Sequence, residues 1–212
     1  MSILHERWKQ EGKWEWERDR SVLFVVDMQN DWVGGAGTQT TNEATMMVPK
    51  IKKLIGKCRE LGVPVIYTQQ ETDPLYNPLE VAAIPSLKNS KRRKGLKEYE
   101  IYHELAPQPG DVVIQKRRFS PFYGTDLDII LANIRGKTNP VDTIIICGTI
   151  INVCCEALAR DAFYRDYKVI MGSDVCAALT EESRQATLVN MRLFGMAMDC
   201  ESIIKALENG KG

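Results

Sequence analysis

Residues 143–163, TIIICGTIINVCCEALARDAF, change periodicity abruptly, and few folds accommodate such a change. Positions 143–147, four β-branched residues followed by Cys147, have the pattern of a strand buried on both faces, and Gly148 ends it. From Val153 the apolar positions Val153, Ala157, Leu158, Ala162 and Phe163 recur mostly three or four apart, which predicts a helix with one apolar face. Asn152 stands at the expected N-cap, where its side chain can accept from the first free backbone N–H groups. A buried strand that feeds directly into a helix is the repeating unit of a parallel α/β sheet.

The rest of the chain repeats that unit. Strands are predicted at 21–26 (SVLFVV), 63–68 (VPVIYT), 111–115 (DVVIQ), 168–171 (KVIM) and 196–198, six in all with the run at 143–147. Helices are predicted at 42–61, 125–134 (with Thr125 as cap), 153–163, 181–194 and 202–207. This alternation implies an α/β fold with a doubly wound, mainly parallel six-stranded sheet and helices on both faces. Residues 1–20, with Trp8, Trp14 and Trp16 among charges, read as an N-terminal arm that packs on the domain or on a partner subunit. Residues 21–210 read as one domain with a loop insertion at about 71–110, long enough to be a lid or binding element. Its cluster KNSKRRK is expected to be a solvated patch or subunit contact.

Charge and composition exclude several functions. The 28 basic and 28 acidic residues cancel, so no overall field favours nucleic acid or an anionic membrane. No apolar run reaches the length of a membrane span, and the charged opening is unlike a signal peptide. Six cysteines without a Cys-x-x-Cys pattern fit reduced thiols in a cytoplasmic protein. His5 and His103 lack ligand spacing, so no metal is expected. The loop at Gly34, Gly35 and Gly37 carries no dinucleotide or phosphate-binding pattern, and no cofactor is expected.

Three strand ends then present reactive groups: Asp27 after the first strand, Lys116 after the third, and Cys154 in the first turn of the helix after the fourth. Ligands of open α/β sheets bind at such strand ends. A helix N-terminus and a nearby ammonium both favour a thiolate, so the Cys154 thiol is expected below its free value of about 8.5. A carboxylate can take the thiol proton and return it to a leaving group. Cys155, next on the helix, should point away by about 100°. Cys58, Cys147, Cys176 and Cys200 are expected in the core.

On the motifs VLFVVDMQNDW (22–32), QKRRFSPFYGTDLDIIL (115–131), ICGTIINVCCEALARDAF (146–163) and SDVCAA (173–178), the chain resembles the isochorismatase-like cysteine hydrolases. The resemblance covers about residues 21–200 and implies that family's three-layer, Rossmann-like sheet. It assigns Asp27, Lys116 and Cys154 as the catalytic residues. It also places a non-proline cis peptide at Thr149–Ile150, aiming the Ile150 and Cys154 N–H groups at a developing oxyanion. Two departures stand out. Ile151 replaces a common Thr before the Asn-x-Cys, and the region after the second strand, TQQETDPLYNP, lacks the histidines with which nicotinamidases of the family bind metal.

Gln69, Gln70, the insertion and the run APQPGD (106–111) look most like the ureidoacrylate and N-carbamoyl amidohydrolase branch. Gln69, Gln70, Phe119, Trp32 and Tyr123 are the candidate substrate contacts, although core packing accounts equally well for Phe119, Phe122 and Tyr123. The reading is a cysteine-dependent amidohydrolase acting on a small linear amide or ureido compound, assembled as a homodimer or homotetramer. Isochorismate-type vinyl-ether hydrolysis and a non-catalytic binding role are the alternatives.

Overall fold

The computed structural model describes residues 14–35, 37, 39 and 41–212, which leaves Trp8 outside the described residues. Six strands form one all-parallel sheet: β1 (Ser21–Val26), β2 (Val65–Gln70), β3 (Val112–Lys116), β4 (Thr143–Thr149), β5 (Lys168–Ala177) and β6 (Met196–Met198). Their order is β3-β2-β1-β4-β5-β6, so the order reverses between β1 and β4. A crevice opens there at the carboxyl ends of the strands.

Alternation along the strands builds a separate core on each face. Leu23, Val25, Val65, Tyr67, Ile145 and Ile170 point to one face, where α1 (Asn42–Glu60) and the closing helix α6 (Cys200–Asn209) cover them. Val22, Phe24, Val26, Ile144, Ile146 and Met171 point to the other, under α3 (Leu127–Asn133), α4 (Glu156–Phe163) and α5 (Glu181–Phe194). All six β1 side chains are buried, and each Val, Leu or Phe among them contributes roughly 1.5–3 kcal/mol relative to exposure.

The observed ends correct several predicted boundaries. Strands β2 and β3 end at Gln70 and Lys116, so the residues expected just past them belong to the ladder itself, with Gln69 opposite Gln115 and Gln70 opposite Lys116. Gly148 does not stop β4. It lies inside the strand at φ +123°, where a Cβ would sit 2.1 Å from the Val26 carbonyl oxygen. Strand β5 runs on to Ala177, and Ser173 and Asp174, expected at its exit, lie where its register against β4 shifts. There Asp174 pairs with Lys50 at 2.7 Å and accepts from the Cys200 N–H. Thr125 is not the cap of α3: Asp126 is its N-cap, and Thr125, one residue earlier, closes a local turn, its Oγ1 accepting from the Leu127 N–H at 3.2 Å.

The insertion is structured, with the short helix α2 (Pro78–Ala83) and 3-10 turns at Pro85–Asn89, Lys97–Tyr99 and His103–Leu105. Within the basic cluster Arg92 is buried rather than solvated, 3.3 Å from Asp31 and stacked over the Trp32 ring at 4.7 Å. Trp16 of the arm is fully buried, and its backbone exchanges two hydrogen bonds of 3.0 Å with Gly212.

Candidate active site

The chain leaves β1 through Asp27 at φ +48°, and the carboxylate turns into the crevice. Thr68 clamps it: the Thr68 Oγ1 accepts from the Asp27 N–H at 3.1 Å and donates to Asp27 Oδ1 at 2.6 Å. The Thr149 hydroxyl donates to the Asp27 carbonyl at 2.9 Å, tying the exit of β1 to the end of β4. Lys116 ends β3 fully buried, and its Nζ lies 2.7 Å from Asp27 Oδ2. The same ammonium faces Gln70 Oε1 at 2.5 Å, the Arg118 carbonyl at 3.2 Å and Cys154 Sγ at 3.3 Å. The structure thus brings Asp27, Lys116 and Cys154 together, with the lysine in the middle.

Cys154 sits in a π-helical turn, Ile151–Cys155, that leads into α4. The turn begins earlier than the sequence suggests. Ile150, extended at φ −100° and ψ 141°, is the N-cap, while Asn152 is exposed inside the turn and caps nothing. The Ile150 carbonyl accepts from the Val153 and Cys155 N–H groups at 3.0 and 3.2 Å, and the Thr149–Ile150 peptide is cis. Cys155 is fully buried in the core on that face of the sheet.

The electrostatics correct the expectation of a lowered thiol pKa. Burial pushes the Cys154 thiol up to about 12; Lys116 pulls it down, and Asp27 pushes it up again. Burial alone would lower the Lys116 pKa, but Asp27 and Cys154 outweigh it and hold the ammonium above its ordinary value. The Cys154 thiol therefore keeps its proton at neutral pH, with the Lys116 ammonium beside it. The helix terminus and the single ammonium do not offset removal of the sulfur from water.

Cys154 opens on a narrow pocket of about 100 Å³ whose wall is mostly apolar. Trp32, Gln70, Phe119 and Ile150, four of the residues expected at the site, line it. Gln69 does not, because neighbouring strand residues point to opposite faces and its amide donates to the Tyr99 carbonyl at 3.0 Å. Tyr123 is also displaced. It is 68% exposed and lines an outer depression with Arg117 and Arg118. Phe122 belongs to the core, stacked on Tyr167.

The sequence reading missed three contributors: Thr68, Glu80 and Arg92. Thr68 was legible as the residue two before Gln70, on the same face of its strand. Glu80 and Arg92 reach the pocket from the insertion, and nothing in their local sequence marks them. Among the described residues no group of His, Cys, Asp and Glu is arranged to hold a metal, and no helix is long and apolar enough to cross a membrane.

Fold and site together define a parallel α/β protein with a thiol, an ammonium and a carboxylate joined at its strand ends. The chain belongs to the isochorismatase family, whose domain model matches residues 21–202. It is 33% identical over 196 aligned residues to the ureidoacrylate amidohydrolase RutB of Pseudomonas syringae pv. syringae, covering 82% of this chain and 78% of that one. A cysteine hydrolase from Pseudomonas syringae pv. phaseolicola superposes with a TM-score of 0.85 at 30% identity, over 95% of this chain and 99% of that one. The N-carbamoylsarcosine amidase of Thermoplasma acidophilum follows at 0.73 and 29% identity, over 86% and 97%.

Proposed function

We propose that the protein is a cysteine-dependent amidohydrolase that cleaves a C–N bond of a small linear amide, ureido or N-carbamoyl compound through a covalent acyl-enzyme. The observation that carries this reading is the unbroken contact from Asp27 through Lys116 to Cys154 at the base of the pocket, with separations of 2.7 and 3.3 Å. The names of the relatives above favour the ureido class.

In this mechanism Asp27 takes the Cys154 proton as the sulfur attacks the carbonyl carbon. Lys116 neutralises the thiolate as it forms, so the charge exists only while it is being used. The Ile150 and Cys154 N–H groups receive the oxyanion. Collapse of the tetrahedral species breaks the C–N bond, and Asp27 returns its proton to the departing ammonia or amine. Water activated by Asp27 then cleaves the thioester or thiocarbamate, restoring the thiol.

Ammonia release from ureidoacrylate, N-carbamoylsarcosine and nicotinamide tests the reading. The two ureido compounds should be turned over faster, and Cys154→Ala should abolish turnover. Chelation and dialysis should leave the rate unchanged, because the segment after β2 supplies no histidine. Preference for nicotinamide, a metal requirement, or an active Cys154→Ala protein would each overturn part of this reading.

A further inference from the structure

Lys116 meets a fourth group that the mechanism above leaves unused, the Gln70 side chain. Gln70 and Lys116 are partners in the β2–β3 register, so their side chains stand side by side on one face of the sheet. Gln70 is 1% exposed, and its backbone is held on both sides: Gln29 Oε1 accepts from its N–H at 2.9 Å and Gln29 Nε2 donates to its carbonyl at 3.2 Å. Its Oε1 faces the ammonium at 2.5 Å and the Cys154 sulfur at 3.9 Å. Its Nε2 donates to Glu80 on helix α2 at 3.2 Å, and the Asn77 amide donates to the same carboxylate at 3.0 Å.

An amide can be turned end for end, so what fixes its direction matters. Here the two ends meet opposite charges. Turning Gln70 over would set its NH2 against the Lys116 ammonium and its oxygen against the Glu80 carboxylate, which makes two repulsive contacts from two hydrogen bonds. Glu80 thus holds from the far end the same amide direction that Lys116 favours from the near end.

We propose that Glu80 and Gln70 form a positioning pair. The carboxylate carried by the insertion orients the amide, the amide holds the Lys116 ammonium between Asp27 and Cys154, and seating of α2 thereby completes the site. The inference rests on the cysteine-hydrolase reading above.

A double-mutant cycle tests it, with ureidoacrylate or N-carbamoylsarcosine as substrate, whichever is turned over faster. Glu80→Ala and Gln70→Leu should each lower kcat about tenfold, the scale of one hydrogen bond to a charged group, while KM moves less than about threefold. The double variant should lose no more than Gln70→Leu alone, because Glu80 acts through the amide. A swap supplies the rescue. Gln70→Glu places two carboxylates face to face and should lower kcat, and adding Glu80→Gln should restore it, since an acceptor again faces the ammonium and the insertion now donates. Additive losses, a change confined to KM, or failure of the swap would overturn the pair. Cys154→Ala measured alongside keeps the two readings apart. Turnover by that variant sinks the cysteine mechanism, whereas a dead variant with an additive cycle sinks the pair alone.

Discussion

At the scale of single residues, the Cys154 thiol governs what can be measured. Burial holds its pKa near 12 even with the ammonium 3.3 Å away, so at neutral pH almost all of it carries its proton. A raised thiol pKa means that the reactive anion grows about tenfold per pH unit until the pKa is reached. Alkylation of Cys154 by iodoacetamide should therefore climb steadily from pH 7 to pH 10 without the plateau near 8.5 of a free cysteine. Lys116→Met should slow it at every pH, because the one influence that lowers the pKa is gone. Cys154 should still be labelled before the other thiols. It opens on the pocket, while Cys58 and Cys155 lie fully within the cores, so access and not acidity sets the order. A plateau below pH 8, or earlier modification of Cys155, would contradict this account.

Among the structural elements, the β1–β4 junction bears the tightest constraint. Gly148 approaches the Val26 carbonyl so closely that a Cβ has no room, and its φ of +123° suits no other residue. Val26 and Gly148 immediately precede Asp27 and Thr149, so the junction sets where the carboxylate stands. Gly148→Ala should cost about 3–5 kcal/mol in denaturant unfolding, and any folded fraction should show a displaced Asp27 as lost turnover. A change below 1 kcal/mol would mean that the two strands can part without penalty.

This junction also shows what the sequence concealed. A glycine after a β-branched run reads as a stop, because close backbone approach is a tertiary fact with no local signature. The same holds for β5, whose apolar run breaks at Gly172–Ser173–Asp174 although the strand resumes beyond. Strand existence and order of type were legible in the runs SVLFVV and TIIIC, since burial on both faces leaves an unmistakable composition. Exact ends were not.

For the molecule as a whole, Asp27, Lys116 and Cys154 were legible because each stands at the end of a recognisable element within a recognisable motif. Glu80 and Arg92 were not, since they come to the pocket through the path of the insertion rather than through any periodic pattern. One feature of the sheet order bears on durability. Lys116 is carried by β3, an outermost strand that pairs with β2 alone. Strands at such margins open at lower free energy than the centre, where β1 and β4 are flanked on both sides. The ammonium can thus be withdrawn from the thiol while most of the molecule stays folded. In a denaturant series, turnover should fail at a lower concentration than far-ultraviolet ellipticity, and amide exchange along residues 112–116 should outpace that along 21–26. The protein would then lose its chemistry by unfastening at one margin, well before it comes apart.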